Sequence, residues 1–330
     1  MGEPRPNLHE LLGRAEHRAP WFPDDTKSGA RFERVVIGGD RFVLKYQDPR
    51  DDWILRATGD PGHVYVRLWE SGLLDRLPPV IDHAVVAAAF DGTVGMVLLR
   101  DVSAALLGGD VAFTPALHAR LLEHMATLHA AFWGWTDDVG LLPLERRYRM
   151  FSPDVAAAEV ARSTPAAVPL AMAEGWGLLP EVSPAMARVV MPLLADPGPL
   201  LGALAGVPHT LVHGDWKAAN LGSHPDGRTV LLDFGEVPGE ASPLADVAWY
   251  LALNAALLPE PKDAVLESYR GALERTIDTA GWWDDAVALE LLGCMVQFGW
   301  EKALGGPGDE LSWWEEWALR GAHRLATVSS

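Results

Sequence analysis

The residues best suited to chemistry lie between His213 and Gly235. His213-Gly214-Asp215-Trp216-Lys217-Ala218-Ala219-Asn220 is followed by Leu231-Leu232-Asp233-Phe234-Gly235. Two carboxylates, an ammonium and a carboxamide thus fall within one short stretch. The set meets the needs of phosphoryl transfer from a nucleoside triphosphate, which asks for positioning and charge neutralisation more than for covalent chemistry. Asp215 could orient an acceptor hydroxyl, and Lys217 could neutralise the transferring group. Asn220 and Asp233 could hold Mg2+ against the phosphates through an amide oxygen and a carboxylate. A surface turn would account for any one of these residues, but not for types and spacings that agree across the set.

The elements around the set must position it. Thr210-Leu211-Val212 reads as a short strand entering the turn at Gly214, and Thr229-Val230-Leu231-Leu232 as a second strand after the turn Pro225-Asp226-Gly227. The two strands are expected to flank one loop, so that Asp215, Asn220 and Asp233 converge at one end of a small hairpin. This His-Gly-Asp loop with its Asp-Phe-Gly triplet resembles the catalytic loop and metal-binding triplet of the protein-kinase-like superfamily. Within it, the loop most resembles that of the aminoglycoside phosphotransferase and choline kinase branch. Lys217, two residues after the Asp, is a feature shared with Ser/Thr kinase loops. The resemblance implies an α+β, protein-kinase-like bilobal fold with a small β-rich N-lobe and a larger helical C-lobe.

The rest of the chain is patterned to match. Phe32–Ile37 and Arg41–Tyr46 around Gly38-Gly39 form a hairpin pattern, and 85–90 and 94–99 read as two more strands. Residues 61–77 look helical. After Asp101 the pattern turns helical, most clearly over Pro115–Trp133, with Pro near the first turn. Prolines are expected to break residues 143–207 into several short helices. Further helices are expected near 243–257, 261–280, 284–303 and 310–327. Residues 1–100 are therefore taken as the nucleotide-binding lobe and 101–330 as the helical lobe, joined near 99–103. No internal repeat is visible.

The resemblance assigns further roles. Lys45, on the second strand of the hairpin, would fix the α/β-phosphates; an exposed edge-strand Lys is the plainer reading. Its acidic helix partner would be Glu70, slightly favoured over Asp60. Lys27-Ser28-Gly29-Ala30 is the candidate phosphate-covering loop, with Ser28 and Gly29 cradling phosphate, although an ordinary turn explains it equally well. Met96–Ser103, with Leu99 and Asp101, resembles the hinge that reads a nucleobase through backbone groups, so ATP and GTP fit alike. Asp101 would cap the linker in preference to meeting the ribose. His129 and His213 would be structural, and Asp246 would brace the catalytic loop from beneath.

Bulk properties narrow the function classes. A formal charge of −18 over 330 residues argues against general nucleic-acid binding and against anionic membrane surfaces. The single Cys294 rules out an intramolecular disulfide framework. Met1–Pro6 has no signal-peptide pattern and no apolar run reaches spanning length, so a cytoplasmic location is expected. Nothing indicates an obligate protein partner. The acceptor pocket is expected between residues 143–205 and the C-terminal helices, which carry Trp282, Trp283, Trp300, Trp313, Trp314 and Trp317 among Asp and Glu residues. Such a surface suits a small-molecule hydroxyl acceptor that is cationic or sugar-containing, unless the tryptophans simply pack helices. An antibiotic or other natural product comes first, and a metabolic amino alcohol or free sugar second. A protein acceptor is disfavoured, because Asp246 follows Asp233-Phe234-Gly235 too closely for a long activation segment. A nucleotide-binding pseudokinase is the non-enzymatic alternative.

Overall fold

The computed structural model describes residues 5–23, 27–108, 112–235 and 237–328. Met1–Pro4, part of the leader reading, lies outside them. The N-terminal region contains α1 (Leu8–Gly13), β1 (His17–Trp21), β2 (Arg31–Ile37), β3 (Asp40–Gln47), α2 (Trp53–Thr58), α3 (Val64–Ser71), β4 (Ile81–Asp82), β5 (Val85–Phe90) and β6 (Gly95–Arg100). Alternating apolar residues and the Gly38-Gly39 turn, both glycines at positive φ, produce the β2–β3 hairpin. It sits inside an antiparallel sheet of order β1-β2-β3-β6-β5. Lys45 therefore lies on a central strand, opposite Phe32 on one side and Val97 on the other. Strand β1 was not expected from the Pro/Trp-rich sequence; as an edge strand it tolerates Pro20.

The helix expected over 61–77 is shorter, α3 covering Val64–Ser71, and α2 before it was not expected. Asp52 caps α2 by accepting from the amides of Ile54 (2.8 Å) and Leu55 (3.3 Å), and Gly59 ends it in the left-handed region. Asp60 accepts from the amides of Gly62 (3.1 Å) and His63 (2.8 Å), which starts α3 late, and Gly72 ends it early.

The helical region follows: α4 (Pro115–Ala131), α5 (Leu144–Arg149), α6 (Pro153–Val160), α7 (Ala167–Val182), α8 (Pro184–Ala195) and α9 (Gly198–Leu204). Pro115, Pro153 and Pro184 open helices, where the missing N–H is not needed. Pro180 and Pro192, however, lie inside α7 and α8 near their C-terminal ends, so these helices run longer than the proline count implies. The short strands β7 (Thr210–Val212), β8 (Leu221–Ser223), β9 (Thr229–Leu231) and β10 (Gly239–Ala241) come next. Helices α10 (Leu244–Leu253), α11 (Lys262–Leu273), α12 (Trp283–Leu304) and α13 (Asp309–Val328) complete the chain.

The strand pairing corrects one expectation. Strands β7 and β9 do not flank a common hairpin. Strand β7 pairs with β10, whereas β9 lies between β8 and the parallel β4. The β4 bridge thus ties the N-terminal region directly to the strand that leads into Asp233.

Helix α12 is the axis of the helical core, with Leu289, Leu291, Leu292, Met295 and Val296 all buried. Burying each such side chain stabilises the fold by about 1.5–3 kcal/mol. Among the described residues no helix is long and apolar enough to cross a membrane.

Candidate active site

The loop leaving β7 is held from below before it presents any reactive group. Gly214 adopts φ 89°, a left-handed conformation that favours glycine. The amides of His213 and Gly214 donate to Asp246 Oδ2 and Oδ1 at 2.8 and 2.6 Å. Asp246, in the first turn of α10, is completely buried. His129 Nε2 donates to the same carboxylate at 3.1 Å, while the Tyr269 hydroxyl donates to His129 Nδ1 at 2.7 Å. Burial pushes the Asp246 carboxyl up, but the interactions with His129, led by its hydrogen bond, hold the group below the usual carboxylate range.

His213 has its tautomer set by its neighbours. Its Nδ1 accepts from the Asp215 amide at 3.1 Å and its Nε2 donates to the Leu232 carbonyl at 2.9 Å. Burial lowers its pKa, so the ring stays neutral and works as a tie between the loop and the exit of β9.

On this base the loop groups converge. Asp215 Oδ2 receives both Lys217 Nζ and Asn220 Nδ2 at 2.8 Å, and Asn220 Nδ2 also reaches the Asp215 carbonyl at 3.1 Å. The other carboxylate oxygen, Asp215 Oδ1, is buried with no hydrogen-bond donor among the described residues. Asn220 in turn fixes the next strand, its carbonyl accepting from the Leu232 amide at 2.9 Å. Asp233 follows at φ 60°, an αL conformation that costs a non-glycine residue about 1–3 kcal/mol and marks a functional constraint. Its Oδ1 meets Lys45 Nζ at 2.9 Å. Burial raises the Asp233 carboxyl, but Lys45 and then Lys217 pull it below its ordinary value, so it is ionised.

Of the residues expected from the sequence, Asp215, Lys217, Asn220, Asp233 and Lys45 are brought together. Glu70 is not. It is exposed on the opposite side of α3, its carbonyl accepting from Arg5 at 3.2 Å, and it lines a cavity of about 790 Å³ with Arg5, His9, Trp69 and Phe90. Asp60 is engaged by the amides of Gly62 and His63 that lead into α3. What α3 presents to Lys45 is Tyr65, whose ring centroid lies 5.9 Å from Nζ, with Phe32 at 5.8 Å. Tyr65 also packs so closely on Gly235 that any Cβ there would strike its ring.

Ser28 and Gly29 lie between β1 and β2, anchored to α2: the Trp53 amide donates to the Ser28 carbonyl at 3.0 Å and Trp53 Nε1 to the Lys27 carbonyl at 2.9 Å. Among the described residues neither makes a hydrogen bond to Lys45 or Asp233. Leu99 is buried on β6 opposite Val43. Asp101 caps the linker, its Oδ1 accepting from the Ser103 amide (3.1 Å) and hydroxyl (2.6 Å).

Asn254 escaped the sequence reading. At the end of α10, its Oδ1 accepts from the Ala218 amide at 2.7 Å and its Nδ2 donates to the Trp216 carbonyl at 2.9 Å, holding the far side of the loop. Its only sequence signal is an Asn closing an apolar helix. Arg147 was missed for a similar reason, one arginine among three on α5.

The tryptophan-rich C-terminal surface is half interior, with Trp282, Trp313 and Trp317 half-buried at its edge. Trp283, Trp300 and Trp314 are buried in the core, Asp285 pairs with Arg324 at 2.5 Å, and Glu310 with Lys302 at 3.3 Å. These residues pack helices together.

For a divalent cation, Asn220 and Asp233 are two residues of the site that could supply oxygen ligands. The Asn220 amide nitrogen is engaged with Asp215, which turns its oxygen away, and Asp233 is ionised. Among the described residues no group of three or more His, Cys, Asp or Glu could hold a metal. Two protein ligands suit Mg2+, which keeps waters and takes its remaining ligands from phosphate.

No protein-family model matches the chain, and no curated protein matches its sequence. Solved structures do. Choline kinase LicA from Streptococcus pneumoniae is 12% identical over 97% of both chains, with a TM-score of 0.50. LicA in complex with AMP is 14% identical over 97% of this chain and 96% of that one, with a TM-score of 0.51. A thermostable mutant of aminoglycoside phosphotransferase APH(4)-Ia, apo form, is 15% identical over 98% of both chains, with a TM-score of 0.49. The two LicA structures establish that the chain has the kinase-like bilobal fold.

Proposed function

We propose that this chain, with the fold of choline kinase LicA, is a small-molecule kinase that transfers the γ-phosphoryl group of ATP or GTP to a hydroxyl. The observation that carries the reading is the Asp215 carboxylate. Its Oδ2 is fixed by Lys217 and Asn220, while its buried Oδ1 has no donor. A buried oxygen without a donor is costly, and an acceptor hydroxyl donating to it removes that cost. The acceptor oxygen forms a bond to the γ-phosphorus as the bond to the β,γ-bridging oxygen breaks. The hydroxyl proton passes to Asp215, and the nucleoside diphosphate leaves.

Lys217 neutralises charge on the transferring group. Lys45 fixes the nucleotide phosphates, exchanging its contact with Asp233 for them. Asn220 and Asp233 would hold Mg2+, which when bound neutralises the phosphate oxygens. Residues 1–100 form the nucleotide-binding lobe, with Ser28 and Gly29 over the phosphates and Leu99 and Asp101 at the hinge. Residues 101–330 form the lobe that takes the acceptor. The AMP bound by LicA supports a nucleotide site here.

The acceptor is an antibiotic, sugar or other natural product. A metabolic amino alcohol is the second reading, favoured by the choline kinase likeness. The pseudokinase alternative keeps nucleotide binding but no turnover.

A coupled screen for ADP and GDP release decides among them, run with ATP and GTP against aminoglycosides, nucleoside antibiotics, sugars and amino alcohols, with Asp215→Ala as control. Acceptor-stimulated release by the wild type alone supports a kinase and names its substrate class. Tight Mg2+-independent nucleotide binding without turnover selects the pseudokinase.

A further inference from the structure

We propose that Arg147 is a positioning residue that holds the Asp215 loop in register with the segment following Asp233. Its guanidinium, on α5, is 3% exposed. Nη2 donates to the Gly214 carbonyl and Nη1 to the Val237 carbonyl, each at 3.1 Å. One acceptor immediately precedes Asp215, and the other lies just beyond Asp233-Phe234-Gly235. The fork therefore spans the two chain segments that carry the reactive carboxylates.

Gly214 is gripped from both ends. Its N–H is held by the anionic Asp246 at 2.6 Å and its C=O by the cationic Arg147. Glycine is needed here twice over, for its φ of 89° and because a Cβ would collide with Arg147 Nη1 and the Val237 carbonyl. The guanidinium carbon also sits 4.7 Å from the ring of Trp249, on the same helix as Asp246. The cation, carried by α5, thus packs against the helix that supplies the anion.

Energetics argue that this arrangement serves more than packing. Burying a guanidinium costs several kcal/mol, and an apolar side chain of similar volume fills such a space without that cost. The planar fork is what allows two carbonyls in different segments to be held at one spacing. A lysine, with a point charge, cannot reproduce it.

The kinetic half of the test rests on the kinase assignment; the exchange half does not. Wild type, R147K and R147M are compared for kcat, for affinity toward Mg2+·ADP, and for amide hydrogen exchange at residues 212–216. Misplacing Asp215 should lower kcat of R147M by about tenfold to a hundredfold, with R147K between. Mg2+·ADP affinity should stay within about twofold, and exchange at His213 and Gly214 should rise with no change in α12. A folded R147M with unchanged kcat and unchanged exchange overturns the proposal, as does a loss confined to nucleotide affinity. If R147M does not fold, R147K decides, and its unchanged kcat and exchange likewise overturn it. If the wild type transfers to no acceptor, the kinase assignment is what fails, and the exchange data alone judge Arg147.

Discussion

Lys45 Nζ and Asp233 Oδ1 meet at 2.9 Å, linking the centre of the five-stranded sheet to the strained residue that leaves β9. The lysine is 2% exposed and flanked by the Phe32 and Tyr65 rings, so its charge is desolvated and strongly felt by its partner. If Lys45 binds nucleotide as proposed, an anionic phosphate reaching it would compete directly with Asp233 for that ammonium.

Lys45→Met should therefore weaken both nucleotide binding and transfer. Removing one pre-organised charge partner at such a site costs about 2.7–4 kcal/mol, or about a hundredfold to a thousandfold in rate. The Asp233 carboxyl should also rise, having lost the largest influence that lowers it. Calorimetric titration of Mg2+·ADP into wild type and K45M checks this. Equal affinities would show that Lys45 does not touch the phosphates.

Asp246 carries a different kind of prediction. Its carboxylate is completely buried and takes hydrogen bonds from His129, His213 and Gly214. Asp246→Asn leaves a donor facing backbone N–H groups, and breaking such a buried set costs about 3–5 kcal/mol. The urea midpoint should fall clearly, whereas Asp215→Asn should move it little because Asp215 already has an oxygen without a donor. Equal midpoints for the two variants would remove the bracing role.

These residues differ in how far sequence could reveal them. Asp215, Lys217, Asn220 and Asp233 are close in the chain, so their spacing alone exposes their convergence. Lys45 is legible because it is one of five lysines in the chain and sits among strand residues. Glu70 was misplaced because an acid on a helix of the right rank says nothing about which side of the helix it occupies. Arg147 and Asn254 act on backbone atoms far along the chain, and no local pattern marks such a partner. The β4–β9 bridge spans only two residues per strand, too few to register as periodicity. The tryptophans of α12 and α13 were readable as a binding surface because large aromatics suit both a pocket and a core, and burial alone separates the two.

Cys294 is 1% exposed, and burial pushes its thiol pKa far up. Its Sγ donates only weakly, to the Ala248 carbonyl at 3.5 Å. The native protein should be inert to a thiol-specific chromogenic reagent at pH 8 and react with one equivalent in denaturant. Rapid reaction of the native protein would mean that α12 opens locally, well short of global unfolding.

Glu290 gives the stability a pH dependence of definite sign. It is 2% exposed on α12, its Oε2 accepts from the Tyr148 hydroxyl at 2.9 Å, and its Oε1 is buried without a partner among the described residues. Burial pushes its pKa from 4.5 to about 7, against smaller opposing pulls from Tyr148 and Arg147. The folded state therefore holds a proton that the unfolded chain has already released. Its contribution is fully present below the ordinary glutamate pKa and is lost as pH rises through about 7. A shift of this size corresponds to about 3 kcal/mol. His213, whose pKa burial lowers, works in the opposite sense and withdraws stability as pH falls below the ordinary imidazole value. The wild-type profile mixes these with His83, His118 and His124, which burial also lowers, so the informative quantity is a difference. Glu290→Gln keeps the shape and cannot ionise, so E290Q should gain on the wild type in urea midpoint as pH goes from 5 to 8, while the His213 limb stays common to both. Parallel profiles would mean that Glu290 is already ionised in the folded protein.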